Sequence, residues 1–259
     1  RGEYVAPEEV DRSSIRQFVD EEGKTFLITT SLKSFYTEDE AFTTIKKIRE
    51  KGSEVAKDEA ALSSSEILVG GTAAFYLDLT TTINHDFFYR IIPAACIGIF
   101  IVLLIALGSV LLPLRLLATT AMSAVWSIAM LTLVFQYGLG TKIYWLTPLL
   151  TFSVLMGLGI DYDVFLITRV KEEAMKGLSD EEAVVNAVER TGLVLTAAGL
   201  ILGSALGSLM LSPNLVLKQM GFALSLAIFI DTFFMRIFLN PSIIVVAKRW
   251  NWWPKGLKR

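Results

Sequence analysis

The sequence has a single histidine, His85, and a single cysteine, Cys96. One cysteine excludes an intrachain disulfide. No cluster of His and Cys at ligand spacing exists, so no metal and no cofactor is expected. Charge is scarce as well: 19% of 259 residues, with a net charge of −2. That leaves no overall basic surface of the kind that binds nucleic acid. No nucleophile with a positioned base is found, so an enzyme is not expected. Gly70-Gly71-Thr72 lacks the lysine of a phosphate-binding loop, and His85-Asp86 reads as a polar pair near the outer interface.

What the chain has in abundance is apolar sequence. It is 53% hydrophobic, with a mean hydropathy of +0.54. These values belong to an integral membrane protein. Five apolar segments predict five spans, at about 91–112, 116–137, 144–168, 191–212 and 217–247. Each is long enough for a hydrocarbon core of ~30 Å at ~1.5 Å per residue. The fold class expected is a mainly α-helical polytopic membrane protein: five transmembrane helices (88–248), a small mixed α/β layer before them (1–87) and a tail (249–259).

In the first part, Ser14–Asp20 and Thr25–Leu32 are β-prone runs around a turn at Gly23. Thr37 to Lys57 reads as a helix opened by a capping box, and Glu66–Val69 as a short strand ended by Gly70-Gly71. A helix from Thr72 to Phe88 then leads toward the membrane. The order β-β-α-β-α fits a small α/β layer whose sheet needs residues from upstream. The chain starts at Arg1 with no signal peptide, which reads as the later part of a longer protein.

Orientation follows from basic residues. Arg169, Lys171, Lys176 and Arg190 lie between spans three and four. Lys248, Arg249, Lys255, Lys258 and Arg259 lie in the tail, and Arg115 in the first interspan turn. The positive-inside rule makes these cytoplasmic and the amino-terminal part extracytoplasmic. Gly177 to Arg190 reads as a separate amphipathic helix at the cytoplasmic interface, capped by Ser179 with Glu182.

Against this apolar background the run Gly157-Leu-Gly-Ile-Asp161-Tyr162-Asp163 stands out, because an acid within a span is expensive and points to function. Residues four apart share a helix face, so Ser153, Gly157 and Asp161 form one stripe. Asp163 points roughly 200° away by the ~100° helical step, with Gly159 on its own stripe. Asp161 is the expected buried titrating group, Tyr162 its phenol neighbour, and Asp163 a supporting polar residue near the cytoplasmic end. In the fifth span, Asp231 and Arg236 are five residues apart, which on an α-helix is not one face. Asp231 nevertheless lies at a depth similar to that of Asp161, which makes an interhelical polar cluster possible, and Asp163, Asp231, Arg236 and Ser153 are expected to form a supporting polar network. Gly199, Gly203 and Gly207 make a small-residue ridge for close helix packing.

This set of residues resembles the MMPL branch of the resistance–nodulation–division (RND) transporters. The resemblance rests on Gly70-Gly71-Thr-Ala-Ala…Asp78, Gly157-Leu-Gly-Ile-Asp-Tyr-Asp-Val-Phe-Leu…Arg169, and Glu172-Glu173…Gly177…Ala183…Arg190-Thr-Gly192. Asp231…Arg236…Pro241 and Trp252-Trp-Pro254 continue it. It implies twelve spans in two halves, each with an extracytoplasmic porter domain, of which this chain would hold the last five spans and part of the second porter domain. It carries the family's aspartate–tyrosine relay pair onto Asp161 and Tyr162, with the counterpart pair in an amino-terminal half. Asp163 departs from members with glutamate there. The implied function is export of lipids or other hydrophobic compounds driven by the proton gradient, with protons and the membrane as partners and a homo-oligomer left open. A sterol-sensing or receptor-like lipid-binding protein of related architecture is the alternative.

Overall fold

The computed structural model describes residues 18–19, 24–35, 39–58, 65–254 and 256, save the Arg249 side chain. The chain divides into two compact units, Arg1–Thr82 and Ile83–Arg259.

In the first unit, α1 (Asp39–Asp58) and the start of α2 (Thr72–Asp86) surround a small core of Ala41, Ile45, Ala73, Ala74 and Leu77. Arg49 forks onto Asp78 at 2.5 and 2.7 Å and donates to the Val69 carbonyl at 3.2 Å. The pair is largely exposed, so it is worth at most about 1 kcal/mol. The described residues do not show the expected α/β layer: no strand forms among them. Of the first hairpin there is one antiparallel bridge, Val19 to Phe26, with the Leu27 amide donating to the Phe18 carbonyl. Glu66–Val69 is irregular. The physical reason is that two short strands without a third or a covering layer are marginal. Phe26, Leu27, Ile28 and Leu68 all stand exposed. Ser14, the Gly23 turn and Thr37 lie outside the described residues.

In the second unit a wide π-helical stretch, Phe87–Ile91, leads into α3 (Ile92–Leu107). Then come α4 (Leu111–Leu131) with its π-helical end Thr132–Gly138, α5 (Leu146–Met175), and α6 (Asp180–Gly207) with a tight last turn, Ser208–Leu211. The last span is α7 (Leu215–Phe229), the π-helical Ile230–Leu239, and α8 (Asn240–Ala247), followed by the 3₁₀ turn Lys248–Trp252. Two of the π-helical stretches run up to a proline near the start of the next helix, Pro93 and Pro241. A proline removes one i→i−4 bond and crowds the carbonyl four residues back, so the preceding turns widen to i→i+5 bonding.

Among the described residues, five helices are long and apolar enough to cross a membrane: Thr72–Leu107, Leu111–Gly138, Leu146–Met175, Asp180–Leu211 and Leu215–Ala247. The number agrees with the sequence, but several boundaries differ, including both ends of the first helix and the start of the second. The third span continues to Met175, and the amphipathic segment is no separate interfacial helix. It is the first turns of α6, running unbroken from Asp180 into the fourth span. No proline lies between Arg190 and Leu195, and the cost of the single Gly192, about 1 kcal/mol, does not stop the helix, so the two segments merge. The Ser179–Glu182 capping box is present in full.

Packing runs opposite to that of a water-soluble bundle. Thr119, Thr120, Ser123, Ser127, Asp163, Asp231 and Arg236 are buried, while Ile97, Val102, Ile105, Leu193, Ile201 and Val246 face outward. Such an arrangement suits a lipid solvent, where an unsatisfied polar group facing outward is the costly one. Buried Gln219 ties the α4–α5 loop to α7, accepting from the Tyr144 amide and donating to the Lys142 carbonyl, both at 2.8 Å. Gly108 closes α3 at φ 69°, which only glycine adopts freely, and Lys171 Nζ reaches the Leu107 carbonyl at 3.0 Å. Glu173, at the end of α5, pairs with Lys176 at 2.7 Å and with Arg190 of α6 at 3.4 Å.

Candidate functional site

Three charged side chains meet inside the helical unit. Asp163 and Asp231 are each 1% exposed, and Arg236 is 4% exposed. Arg236 Nε donates to Asp163 Oδ1 at 3.0 Å, and Arg236 Nη2 donates to Asp231 Oδ2 and to the Gly159 carbonyl. Asn240 Nδ2 adds a bond to Asp163 Oδ1 at 3.3 Å, and Ser123 Oγ donates to Asp231 Oδ1 at 3.3 Å. The cluster therefore draws on α4, α5 and the last span. The Tyr162 ring stacks under the Arg236 guanidinium, 4.9 Å from its centroid.

The wide helix explains why Asp231 and Arg236 pair, although α-helical spacing keeps residues five apart off one face. Both lie in Ile230–Leu239, and i→i+5 winding brings them together. Two glycines let the backbones come this close. A Cβ on Gly159 would stand 3.3 Å from the Thr120 side chain, and one on Gly199 would collide with Thr232. Gly203 meets the Phe229 ring in the same way, and Gly207 meets Ser225 Oγ at 3.0 Å. A β-carbon here would push the helices apart.

Asp161 is elsewhere. It is exposed, as are Ser153 and Gly157, so the whole small polar stripe faces outward in this chain. The Ser153 hydroxyl donates to the Leu149 carbonyl of its own helix and does not join the cluster. A β-carbon on Gly157 would meet nothing within 4 Å. Since α5 runs to Met175, Asp161 stands at its midpoint rather than near an end. A helix of 30 residues is about 45 Å long, which puts that midpoint deep in any bilayer it crosses. Asp161 and Asp163 thus diverge as the helical step requires, but the buried one is Asp163.

Sequence reasoning missed Arg115, Ser123 and Asn240. The sequence places Arg115 in a turn; it lies within α4 and is 7% exposed. The turn itself is the short stretch between Gly108 and Val110. A single arginine between two apolar runs reads as a loop because hydropathy alone sees no helix continuing through it. Ser123 and Asn240 carry no sequence signal beyond being polar in apolar segments.

Two small clefts, neither much larger than a water molecule, meet on Arg236 and Thr232. One is lined by Gly159, Tyr162, Gly199 and Asp231, the other by Thr191, Gly192, Thr196 and Ile237. Among the described residues no group of three or more His, Cys, Asp or Glu is arranged to hold a metal ion.

Five apolar spans around a buried acid–arginine cluster define a multi-pass membrane protein. The sequence pattern of the MMPL family matches residues 9–259, and the chain belongs to that family, within the RND superfamily. It is 31% identical over 97% of its length to the probable transport protein MmpL9 of Mycobacterium tuberculosis, covering 26% of that protein. It is 30% identical over 99% of its length to the siderophore exporter MmpL5 of the same species, covering 27% of it. It is also 32% identical over 76% of its length to the sulfolipid-1 exporter MmpL8 of that species, covering 18% of it. The chain thus spans about a quarter of the length of the first two of these relatives.

Proposed function

We propose that this chain is the carboxy-terminal part of a transporter that uses the proton-motive force to export lipids or other hydrophobic compounds across the cytoplasmic membrane. The observation that carries the reading is the setting of Asp161. It is an acid at the midpoint of an apolar span, and its neighbour Tyr162 stacks on an arginine that bridges two buried aspartates. An acid at that depth is costly unless function requires it.

In this reading Asp161 binds a proton from outside and releases it inside, with Tyr162 orienting the transfer. Neutralising Asp161 changes the field on the Tyr162 ring and on the Arg236 guanidinium stacked against it. The Asp163–Arg236–Asp231 cluster joins three helices, so it carries that change into helix packing. The exposed stripe Ser153–Gly157–Asp161 is the face met by the remainder of the protein, which supplies the counterpart acid and tyrosine. Residues 1–87 lie on the extracytoplasmic side, where a porter domain is completed by other segments, and the carboxy terminus is cytoplasmic. The basic residues Arg169, Lys171, Lys176 and Arg190 support that orientation. The names of the relatives, a siderophore exporter and a sulfolipid-1 exporter, support a hydrophobic or amphipathic substrate.

The test uses full-length protein in proteoliposomes and a fluorescent lipid as probe. Asp161→Asn is expected to abolish probe movement that depends on a pH gradient, while thermal unfolding in detergent stays near the parent value. Gradient-driven movement surviving at the parent rate would sink the relay.

A further inference from the structure

Arg115 is the charged group that the cluster leaves out. It is 7% exposed, and none of its three guanidinium nitrogens has a hydrogen-bond partner among the described residues. Asp163 has an opening to match. Arg236 and Asn240 both bond Oδ1, and Oδ2 is buried without a donor. A buried guanidinium without a partner is an expensive arrangement, and so is a half-satisfied carboxylate.

Helix register puts the two groups at nearly one depth. Along the α4–α5 contact, Ala124 shares a core cluster with Leu155, and a Cβ on Gly159 would stand 3.3 Å from the Thr120 side chain. Each step of four down one helix matches a step of four along the other in the opposite direction. Continuing that antiparallel register brings Arg115 level with Val164, one residue from Asp163. The depths differ by about 1.5 Å, one residue rise. Arg115 and Asp163 lie within electrostatic reach of each other.

Charge is balanced while pairing is not. Asp163 and Asp231 face Arg236 and Arg115, two against two, yet Arg236 holds both acids and Arg115 holds none. We propose that Arg115 is the alternate cation of Asp163, which passes from Arg236 to Arg115 and leaves Asp231 and Arg236 as a closed pair. In the second arrangement each acid has one arginine. The hand-over frees Arg236 from α5's Asp163 while Tyr162 still lies over its guanidinium, so it shifts the ring beside Asp161. Arg115 is thus a positioning residue: it acts on the relay through Asp163 and Arg236. The coupling to transport rests on the relay reading above, whereas the Arg115–Asp163 pairing does not.

A double-mutant cycle on the full-length protein tests both parts. Arg115→Gln, Asp163→Asn and the double variant are compared by thermal unfolding in detergent and by proton entry into proteoliposomes, read with entrapped pyranine under an imposed pH gradient. Each single variant is expected to slow proton entry by roughly tenfold, with the double no slower than either. Arg115→Lys is expected to restore most of the rate, which a merely space-filling role would not do. In unfolding, the double variant is expected to lose less than the two singles together. Additive losses in unfolding, or Arg115→Gln entry at the parent rate, would overturn the proposal. If the parent protein itself shows no gradient-dependent entry, the relay reading falls, and the unfolding cycle still decides whether Arg115 and Asp163 pair.

Discussion

Arg236 makes more polar contacts than any other side chain of the cluster: both buried aspartates, the Gly159 carbonyl and the Tyr162 ring. Replacing it with methionine would leave two carboxylates buried with no direct cation. We expect Arg236→Met to cost about 3–5 kcal/mol, the usual penalty for breaking a buried pair on one side. Thermal unfolding in detergent measures it. Asp161→Asn should behave in the opposite way, with little effect on stability and a large one on gradient-driven movement, because Asp161 is exposed in this chain. The two acids could be told apart in the sequence only by direction. Helical spacing shows that Asp161 and Asp163 diverge, and it does so correctly. It does not say which direction faces the neighbouring helices. The stripe of small residues under Asp161 suggests a packed face, but within this chain the packed face is that of Leu155, Gly159 and Asp163.

At the scale of elements, helix ends and helix winding decide which residues meet. Ser179 and Glu182 are legible as a capping box, and the structure has both halves of it. Ser179→Ala is expected to destabilise the start of α6 by about 1 kcal/mol, seen as faster amide exchange over Asp180–Ala187. The ridge of Gly199 and Gly203 is legible too, and here a β-carbon would strike Thr232 and the Phe229 ring. Gly199→Ala is expected to cost about 1–3 kcal/mol by overpacking and to loosen the cluster, because Thr232 is next to Asp231. Thermal unfolding reads the first effect, and the second shows as slower gradient-driven movement. The π-helical winding of Ile230–Leu239 is not legible. Pro241 can be recognised as a kink, but its effect on the turns before it, which brings Asp231 onto Arg236, follows from how the chain restores its hydrogen bonds.

For the whole molecule, the expected topology has a direct check. With Cys96→Ser as background, a cysteine at exposed Ser53 should react with an impermeant maleimide in intact cells. One at Lys176 should react only after permeabilisation. The reverse pattern would invert the orientation. The sequence by itself determined the solvent of this protein and the number of its spans, because long uncharged runs have no stable place in water. It also marked the residues that such runs do not tolerate without reason: Asp161, Asp163, Asp231 and Arg236. Only the tertiary structure decided how they are grouped, since a buried charge takes its partner from whichever helix lies beside it. That brought Arg115 from an assumed turn into the core and turned Asp161 outward. Among the described residues the β-prone runs of the first part form a single bridge, Val19 to Phe26, and no strand, because one short pairing without a third strand is marginal.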